Sequence, residues 1–174
     1  MTMKVCILQE KTDLENKMEN VNKIASFTVD HDLLSEGIYV SRIDGDITTY
    51  DLRTRVPNSD DYMDNLTMHS VEHMIATYVR SSRIGDRVIY FGPMGCQTGF
   101  YLLVRNADNA EVLDVLCDVL RKVIAHDGEM FGAVRRECGN YKNLSVAAAK
   151  AECQRYLDNL LSREQDFCYK GEKI

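Results

Sequence analysis

Strand-like segments follow one another along this chain with little helix between them, and this order constrains the fold most. The segments "GIYVSRI" (37–43) and "DITTYDLR" (46–53) meet at "DGD", a turn signal typical of a β-hairpin. In the second segment Thr48, Tyr50 and Leu52 alternate with Ile47, Thr49 and Asp51, which predicts a half-buried strand. Two further strand-like segments, "DRVIYFG" and "TGFYLLVR", flank "GPMGC", and "SFTV" (26–29) predicts another short strand.

Three segments have the spacing of amphipathic helices. Residues 65–81 carry one apolar stripe, and residues 109–126 repeat apolar residues at the same period. Ser145 predicts the N-cap of a last helix that ends near residue 162. Because the strands do not alternate one-for-one with these helices, the sequence predicts an α+β fold, in which helices cover an antiparallel β-sheet.

The length and the charge limit the classes of function. A chain of 174 residues suits one domain, which we place at residues 25–174, and the charged segment 1–24 predicts an N-terminal extension. The net charge is −6 and the basic residues are scattered, so we expect no nucleic-acid partner. Apolar runs such as "YLLV" are too short to span a bilayer, so we also expect no membrane association.

The six cysteines indicate the compartment. The first residues do not resemble a signal peptide, and a chain of this length can bury a core without disulfides. We therefore expect free thiols and a cytoplasmic location. Cys117 and Cys153 fall inside predicted helices, which is typical of packing residues.

The segment "HSVEH" (69–73) is the first candidate site. On a helix, His69 and His73 project from one face a single turn apart, so their imidazoles can share a metal ion, and Glu72 borders the same face. The order H-x-x-E-H also occurs in inverted zinc proteases. The spacing alone leaves a metal site, a peptidase site and a solvated polar face as alternatives.

Two cysteines lie in unusual local sequences. Cys96 follows the turn "GPMG" between two predicted strands, where glycines allow a ligand close to the backbone. Cys138 lies in the polar segment "RRECGNY", which is typical of a metal ligand supplied by a loop. A structural cysteine in a bulged hairpin remains the alternative for Cys96.

The segments "SFTVDH", "YDLR", "HSVEH", "GPMGCQTGF" and "ECGN" occur in this order, and with them the chain resembles the S-ribosylhomocysteine lyase (LuxS) family. The resemblance covers about residues 25–162, and the signature P-M-G-C-x-T-G is complete at 93–99. It implies a LuxS/metallohydrolase-like fold and a homodimer with active sites at the interface. It also implies one divalent metal per chain, iron(II) or zinc.

The resemblance further implies the reaction and the residues that perform it. S-ribosylhomocysteine, a thioether sugar, is cleaved to homocysteine and 4,5-dihydroxy-2,3-pentanedione, the autoinducer-2 precursor of quorum sensing, by carbonyl migration and β-elimination. The implied metal ligands are His69, His73 and Cys138. The implied catalytic acid/base residues are Cys96 and Glu72, and the implied substrate-binding residues are Ser26, His31 and Arg53.

The chain departs from the family pattern next to the signature. Relatives carry I-D-x-S before the proline, whereas this chain has Tyr90 and Gly92 at the Asp and Ser positions. The family's Asp lies close to the amino-acid end of the substrate, so we expect the rim of the substrate pocket to be altered at that end. Two alternatives follow: an HxxEH metallopeptidase that uses Glu72 to activate water, and a divergent, non-catalytic relative that binds a metal or ligand.

Overall fold

The structure, a computed structural model, describes Phe27 and residues 29–169 and consists of one sheet with helices packed against it. The strands are β1 (Gly37–Asp44), β2 (Ile47–Arg53), β3 (Val88–Pro93) and β4 (Gly99–Arg105). The helices are α1 (Asn65–Arg80), α2 (Asn109–Ala125) and α3 (Val146–Leu161), with a 3₁₀ turn at Gly85–Arg87. These elements confirm the predicted α+β fold.

The sheet has the order β1-β2-β4-β3, and every neighbouring pair is antiparallel. Each hairpin joins two strands that are consecutive in the chain, as the turn signals predict. The register aligns Asp51 of β2, Tyr101 of β4 and Gly92 of β3 in one row across the sheet. This row lies two residue pairs away from the pairing of Arg53 with Gly99, with Leu52 and Phe100 paired between them.

One face of the sheet packs against the helices and forms the core. Tyr50, Leu52 and Phe100 contribute the sheet side, and each is at most 1% exposed. Val71 of α1 and Leu120 of α2 pack in the same cluster, so the predicted apolar stripes do face the core. Cys117 and Cys153 are buried thiols in this cluster, which confirms their packing role.

The opposite face of β2 follows the predicted half-buried pattern over the first half of the strand, but it is buried at the end of the strand. Ile47 and Thr49 are partly exposed as predicted, but Asp51 is 1% exposed and Arg53 is 3% exposed. Tyr169 covers them and donates a hydrogen bond to Asp51 at 3.0 Å. The tail that follows α3 therefore closes this face over a buried ion pair.

The helix starts follow the sequence signals. Asp64 caps α1 by accepting from the Thr67 N–H, Asp108 caps α2, and Ser145 caps α3 by accepting from the Ala148 N–H. The cap predicted at Ser145 is thus confirmed. None of the helices in the described ranges has the length and apolarity needed to cross a bilayer.

The strand predicted at 26–29 is not formed by its described members. Phe27 lies in a 3₁₀ turn and is 72% exposed, and Val29 lies in a bend. The outer edge of β1 is bridged instead by Phe167, whose carbonyl accepts from the Val40 N–H. The predicted extension at 1–24 and its boundary lie outside the described residues, whereas those from His31 onward form one compact unit.

Candidate functional site

The two histidines of "HSVEH" lie on α1 and point to the same side of the helix. The centres of their rings are 4.6 Å apart and the rings are perpendicular. Both are half-buried, while Ser70 and Val71 between them face the protein interior. The four-residue spacing therefore produces the shared face that the sequence predicts.

Backbone carbonyls determine the tautomer of both imidazoles. His69 donates from Nδ1 to the carbonyl of Asn143 at 2.9 Å, and His73 donates from Nδ1 to the carbonyl of Phe131 at 2.8 Å. A carbonyl can only accept, so each ring carries its proton on Nδ1 and leaves the lone pair of Nε2 free. This second layer of hydrogen bonds is typical of histidines that bind metals.

Cys138 comes to these histidines from the loop between α2 and α3. Its sulfur lies 3.4 Å from Nε2 of His69 and accepts the Asn140 N–H at 3.3 Å. The loop is held against α1 because the Ser145 N–H donates to the hydroxyl of the fully buried Ser70 at 2.8 Å.

One ligand atom from each of His69, His73 and Cys138 lies within 4.8 Å of the others. Two free imidazole nitrogens and one sulfur form a donor set that suits zinc or iron(II). The residues present therefore fit a divalent metal, and a fourth position would remain for water or substrate.

Gly132 allows the loop to approach His73 closely. Its φ is +67°, a left-handed conformation that favours glycine, and a Cβ there would lie 2.8 Å from Nδ1 of His73. A side chain at this position would push against the ring that Phe131 orients. The loop thus needs glycine beside the candidate ligand.

Glu72 is half-buried on the same helix as the two histidines. Among the described residues it has no ion pair or hydrogen bond, and it is not one of the three grouped ligands. Its carboxylate is consequently available for proton transfer rather than committed to a structural contact.

The turn that carries Cys96 is tied to the start of α1. The Met94 N–H donates to the carbonyl of Gly99 at 2.9 Å and closes the turn between β3 and β4. The Met63 N–H donates to the carbonyl of Gln97 at 3.1 Å, one residue before the cap of α1. The backbone therefore connects the exposed Cys96 thiol to the helix that carries the histidines.

Arg53 is the central charge beside Cys96. It donates from Nε and Nη2 to the two oxygens of Asp51 at 3.1 and 2.5 Å, a bidentate pair. Its Nη1 donates to Oγ1 of Thr98 at 2.5 Å and lies 3.8 Å from the sulfur of Cys96. The structure thus brings together Arg53 and Cys96, which are 43 residues apart in the chain.

The pKa values of this group reflect its burial. Burial raises the pKa of Asp51, and the charge of Arg53 opposes that shift, as does the charge of His31 to a smaller extent. Burial acts to lower the pKa of Arg53, but Asp51 outweighs it and raises that pKa, so the guanidinium stays charged. His31 therefore lies within electrostatic reach of the Asp51–Arg53 pair.

The two positions that depart from the family pattern are coupled. A Cβ added to Gly92 would overlap the phenol ring of Tyr90, which folds back over that glycine. The ring remains 48% exposed. Tyr90 therefore occupies the space that a side chain at position 92 would need.

Several residues of the site were not predicted. Asn143 and Phe131 act through backbone carbonyls, which carry no residue-type signal. Thr98 belongs to the signature at 93–99, and Asp51 lies two residues before Arg53, so a buried acidic partner for Arg53 could have been sought there. Ser26, predicted to bind substrate, lies outside the described residues.

Comparison with known proteins identifies the family of the chain. The family model described as S-Ribosylhomocysteinase (LuxS) matches residues 24–167. The S-ribosylhomocysteine lyase of Borreliella afzelii is 38% identical over 146 residues, covering 80% of this chain and 93% of that protein.

Two further relatives with the same name are similar to the same extent. The lyase of Desulfotalea psychrophila is 39% identical over 157 residues, covering 84% of this chain and 99% of the relative. That of Finegoldia magna is 40% identical over 143 residues, covering 79% and 91%. With a matching family model over most of its length and relatives at this identity, the chain belongs to the S-ribosylhomocysteinase (LuxS) family.

Proposed function

We propose that this protein is a metal-dependent carbon–sulfur lyase that cleaves S-ribosylhomocysteine to homocysteine and 4,5-dihydroxy-2,3-pentanedione. The observation that carries the proposal is the convergence of His69, His73 and Cys138 in a chain that also presents Cys96 beside Arg53. The names of the relatives support the choice of substrate.

The proposed metal ligands are His69, His73 and Cys138. Their geometry supports this role because one ligand atom of each residue lies within 4.8 Å of the others, and Nδ1 of each imidazole is held by a backbone carbonyl. A divalent ion, iron(II) or zinc, would act there as a Lewis acid that polarises a sugar oxygen. The carbonyls of Asn143 and Phe131 keep the two rings in orientation whether or not an ion is bound.

Cys96 and Glu72 are the proposed acid/base pair. Moving a carbonyl along the sugar requires a proton to be removed from one carbon and returned to its neighbour. A thiolate at Cys96 can accept such a proton, and the charge of Arg53 favours that thiolate. Glu72, without a structural partner among the described residues, can exchange protons with the hydroxyl oxygens of the sugar.

The final step is a β-elimination. A base removes the proton on the carbon next to the carbonyl, the electron pair forms a carbon–carbon double bond, and the carbon–sulfur bond breaks. The sulfur leaves with the bonding pair and takes up a proton, which gives the free thiol of homocysteine. The protonated Cys96 or Glu72 can supply that proton.

Ser26, His31 and Arg53 are the proposed substrate-binding residues, partly supplied across a homodimer interface. Arg53 is suited to the role because its guanidinium stays charged beside the thiol.

The family resemblance supports a homodimer, a cytoplasmic location and a domain over residues 25–174. Light scattering on the purified protein measures its oligomeric state directly. The dione product, 4,5-dihydroxy-2,3-pentanedione, would serve quorum sensing. The thiol product, homocysteine, would return to the methyl cycle.

A thiol-release assay tests the proposed function. We expect protein loaded anaerobically with iron(II) to release one thiol for each S-ribosylhomocysteine consumed, detected with a chromogenic disulfide. Heat-denatured protein and iron(II) alone are the controls. Binding of S-ribosylhomocysteine without thiol release would contradict the lyase activity and identify a non-catalytic binding protein.

A further inference from the structure

The polar groups behind Cys96 form one continuous chain of hydrogen bonds. It begins at Tyr169, whose hydroxyl donates to Oδ2 of Asp51 at 3.0 Å. Asp51 accepts two bonds from Arg53, and Nη1 of Arg53 donates to Thr98 at 2.5 Å. The chain ends where Oγ1 of Thr98 lies 3.0 Å from the sulfur of Cys96.

The direction of the last hydrogen bond follows from the chemistry of the donors. A guanidinium has N–H groups and no acceptor, so Oγ1 of Thr98 must accept from Arg53. The hydroxyl proton of Thr98 is therefore not used toward Arg53, and when the sulfur of Cys96 is a thiolate, which can only accept, Thr98 is the donor of this bond. The direct contact of Arg53 with that sulfur is longer, at 3.8 Å.

Burial keeps this arrangement in place. Thr98 is 2% exposed, and its carbonyl accepts the N–H groups of Thr54 and Arg55, each at 3.0 Å. Water cannot readily replace a donor that is buried on one side and held by backbone bonds on the other. Cys96, at the end of this chain of hydrogen bonds, is an exposed residue.

We propose that Thr98 is a positioning residue that donates a hydrogen bond to the thiolate of Cys96, with Arg53 and Asp51 setting the direction of that bond. The inference rests on the proposed role of Cys96 as an acid/base group, which requires a thiolate at neutral pH. A hydrogen bond donated to the thiolate favours the charged form of Cys96 over the neutral thiol.

Two titratable groups of the described residues act on Cys96 electrostatically. Arg53 from β2 favours the thiolate. Tyr101 from β4 faces it as well, and burial, followed by the charge of Asp51, raises the pKa of Tyr101 and keeps it neutral near pH 7. Thr98→Val and Thr98→Ala also remove the oxygen that accepts from Nη1 of Arg53, whereas Thr98→Ser keeps that acceptor and is therefore the matched control.

The test measures the thiolate of Cys96 without turnover. Metal-loaded protein is alkylated with iodoacetamide across a range of pH, and the rate at the Cys96 peptide is followed by mass spectrometry. The midpoint is the pH at which the alkylation rate of Cys96 reaches half its maximum. We expect Thr98→Val and Thr98→Ala to move this midpoint upward by about one pH unit, because one hydrogen bond to the thiolate is lost. Thr98→Ser, which keeps the hydroxyl, retains the wild-type midpoint.

Three results would overturn the proposal. These are an unchanged midpoint in Thr98→Val, an unchanged midpoint in Thr98→Ala, or an equal shift in Thr98→Ser. The alanine variant adds no bulk and keeps the backbone bonds of position 98, so it provides a measurement even if the valine variant does not fold. Because alkylation needs no substrate, its outcome is independent of the thiol-release assay.

Discussion

At the scale of single residues, Cys96 and Cys138 have different surroundings. Cys138 lies 3.4 Å from Nε2 of His69, within the group that could hold a metal, whereas Cys96 is exposed beside Arg53 and Thr98. This difference is consistent with the proposed metal-binding role of Cys138 and the proposed proton-transfer role of Cys96.

We predict that the Cys138→Ala variant no longer binds the metal. The Cys96→Ala variant should retain the metal, but its turnover rate should fall at least about 100-fold, as expected for removal of an acid/base group. Inductively coupled plasma mass spectrometry measures the metal content of each variant, and the thiol-release assay measures its activity. Cys117→Ala, which removes a buried packing thiol, is the control and keeps both. Equal metal loss in both site variants would refute the division of roles.

Tyr90 and Gly92 form a second unit at the residue scale. Because the ring of Tyr90 fills the space above Gly92, we predict that Gly92→Ser lowers the free energy of unfolding by about 1 kcal/mol. In a Tyr90→Asp background, which restores the acidic residue of the family pattern, the same change has almost no effect. Guanidinium unfolding of the wild type, the two single variants and the double variant gives the coupling energy between positions 90 and 92. Additive effects of the two substitutions would contradict the contact.

At the scale of elements, α1 determines where both candidate imidazoles lie. Its cap, Asp64, accepts the Thr67 N–H at 2.7 Å, and this backbone hydrogen bond lowers the pKa of Asp64. A depressed folded-state pKa means that the cap stabilises the protein above the unfolded-state pKa of about 4. The stabilisation is then lost as the pH falls through the folded-state value.

We predict that Asp64→Ala lowers the free energy of unfolding by about 1 kcal/mol at pH 7. The difference from the wild type narrows as the pH falls below about 4, where the unfolded state takes up a proton at Asp64, and the charge contribution is lost once the pH is below the lowered folded-state pKa. Urea unfolding at several pH values measures this. Glu164→Ala removes an exposed carboxylate that does not cap a helix and should change stability little at any pH. A difference that is independent of pH would contradict the assignment.

At the scale of the whole molecule, a buried ion pair joins α3 to the segment after β2. Arg55 donates from Nε and Nη2 to the two oxygens of Glu152 at 3.0 and 2.5 Å. The side chain of Glu152 is 4% exposed, so it cannot exchange its partner for water. Removing Arg55 takes away the bidentate partner of this buried carboxylate and leaves only Arg155, whose Nη1 lies 4.0 Å from Glu152.

We predict that Arg55→Ala lowers the free energy of unfolding by about 3 kcal/mol. The matched control is Arg42→Ala, which breaks the exposed Arg42–Asp44 pair and should cost less than about 1 kcal/mol. Guanidinium unfolding followed by circular dichroism compares them. Similar losses in the two variants would show that burial of the pair does not determine its contribution.

The elements could be predicted because their signals are local. The strand within 46–53, the turn "DGD" and the cap at Ser145 each depend on a few neighbouring residues, and the structure confirms them, although the alternation of burial holds only for the first half of the strand. The prediction of a short strand at 26–29 was wrong because residues that favour β-structure do not by themselves provide a partner strand.

The sequence by itself determined the α+β class and the shared face of His69 and His73, because helical spacing alone places these two rings together. Only the tertiary structure decided that Asp51 and Arg53 are buried, since Tyr169, which covers Asp51, is 118 residues away in the chain. It also decided which carbonyls orient the imidazoles and how Thr98 faces Cys96. These contacts depend on distant segments meeting, and local residue patterns do not encode them.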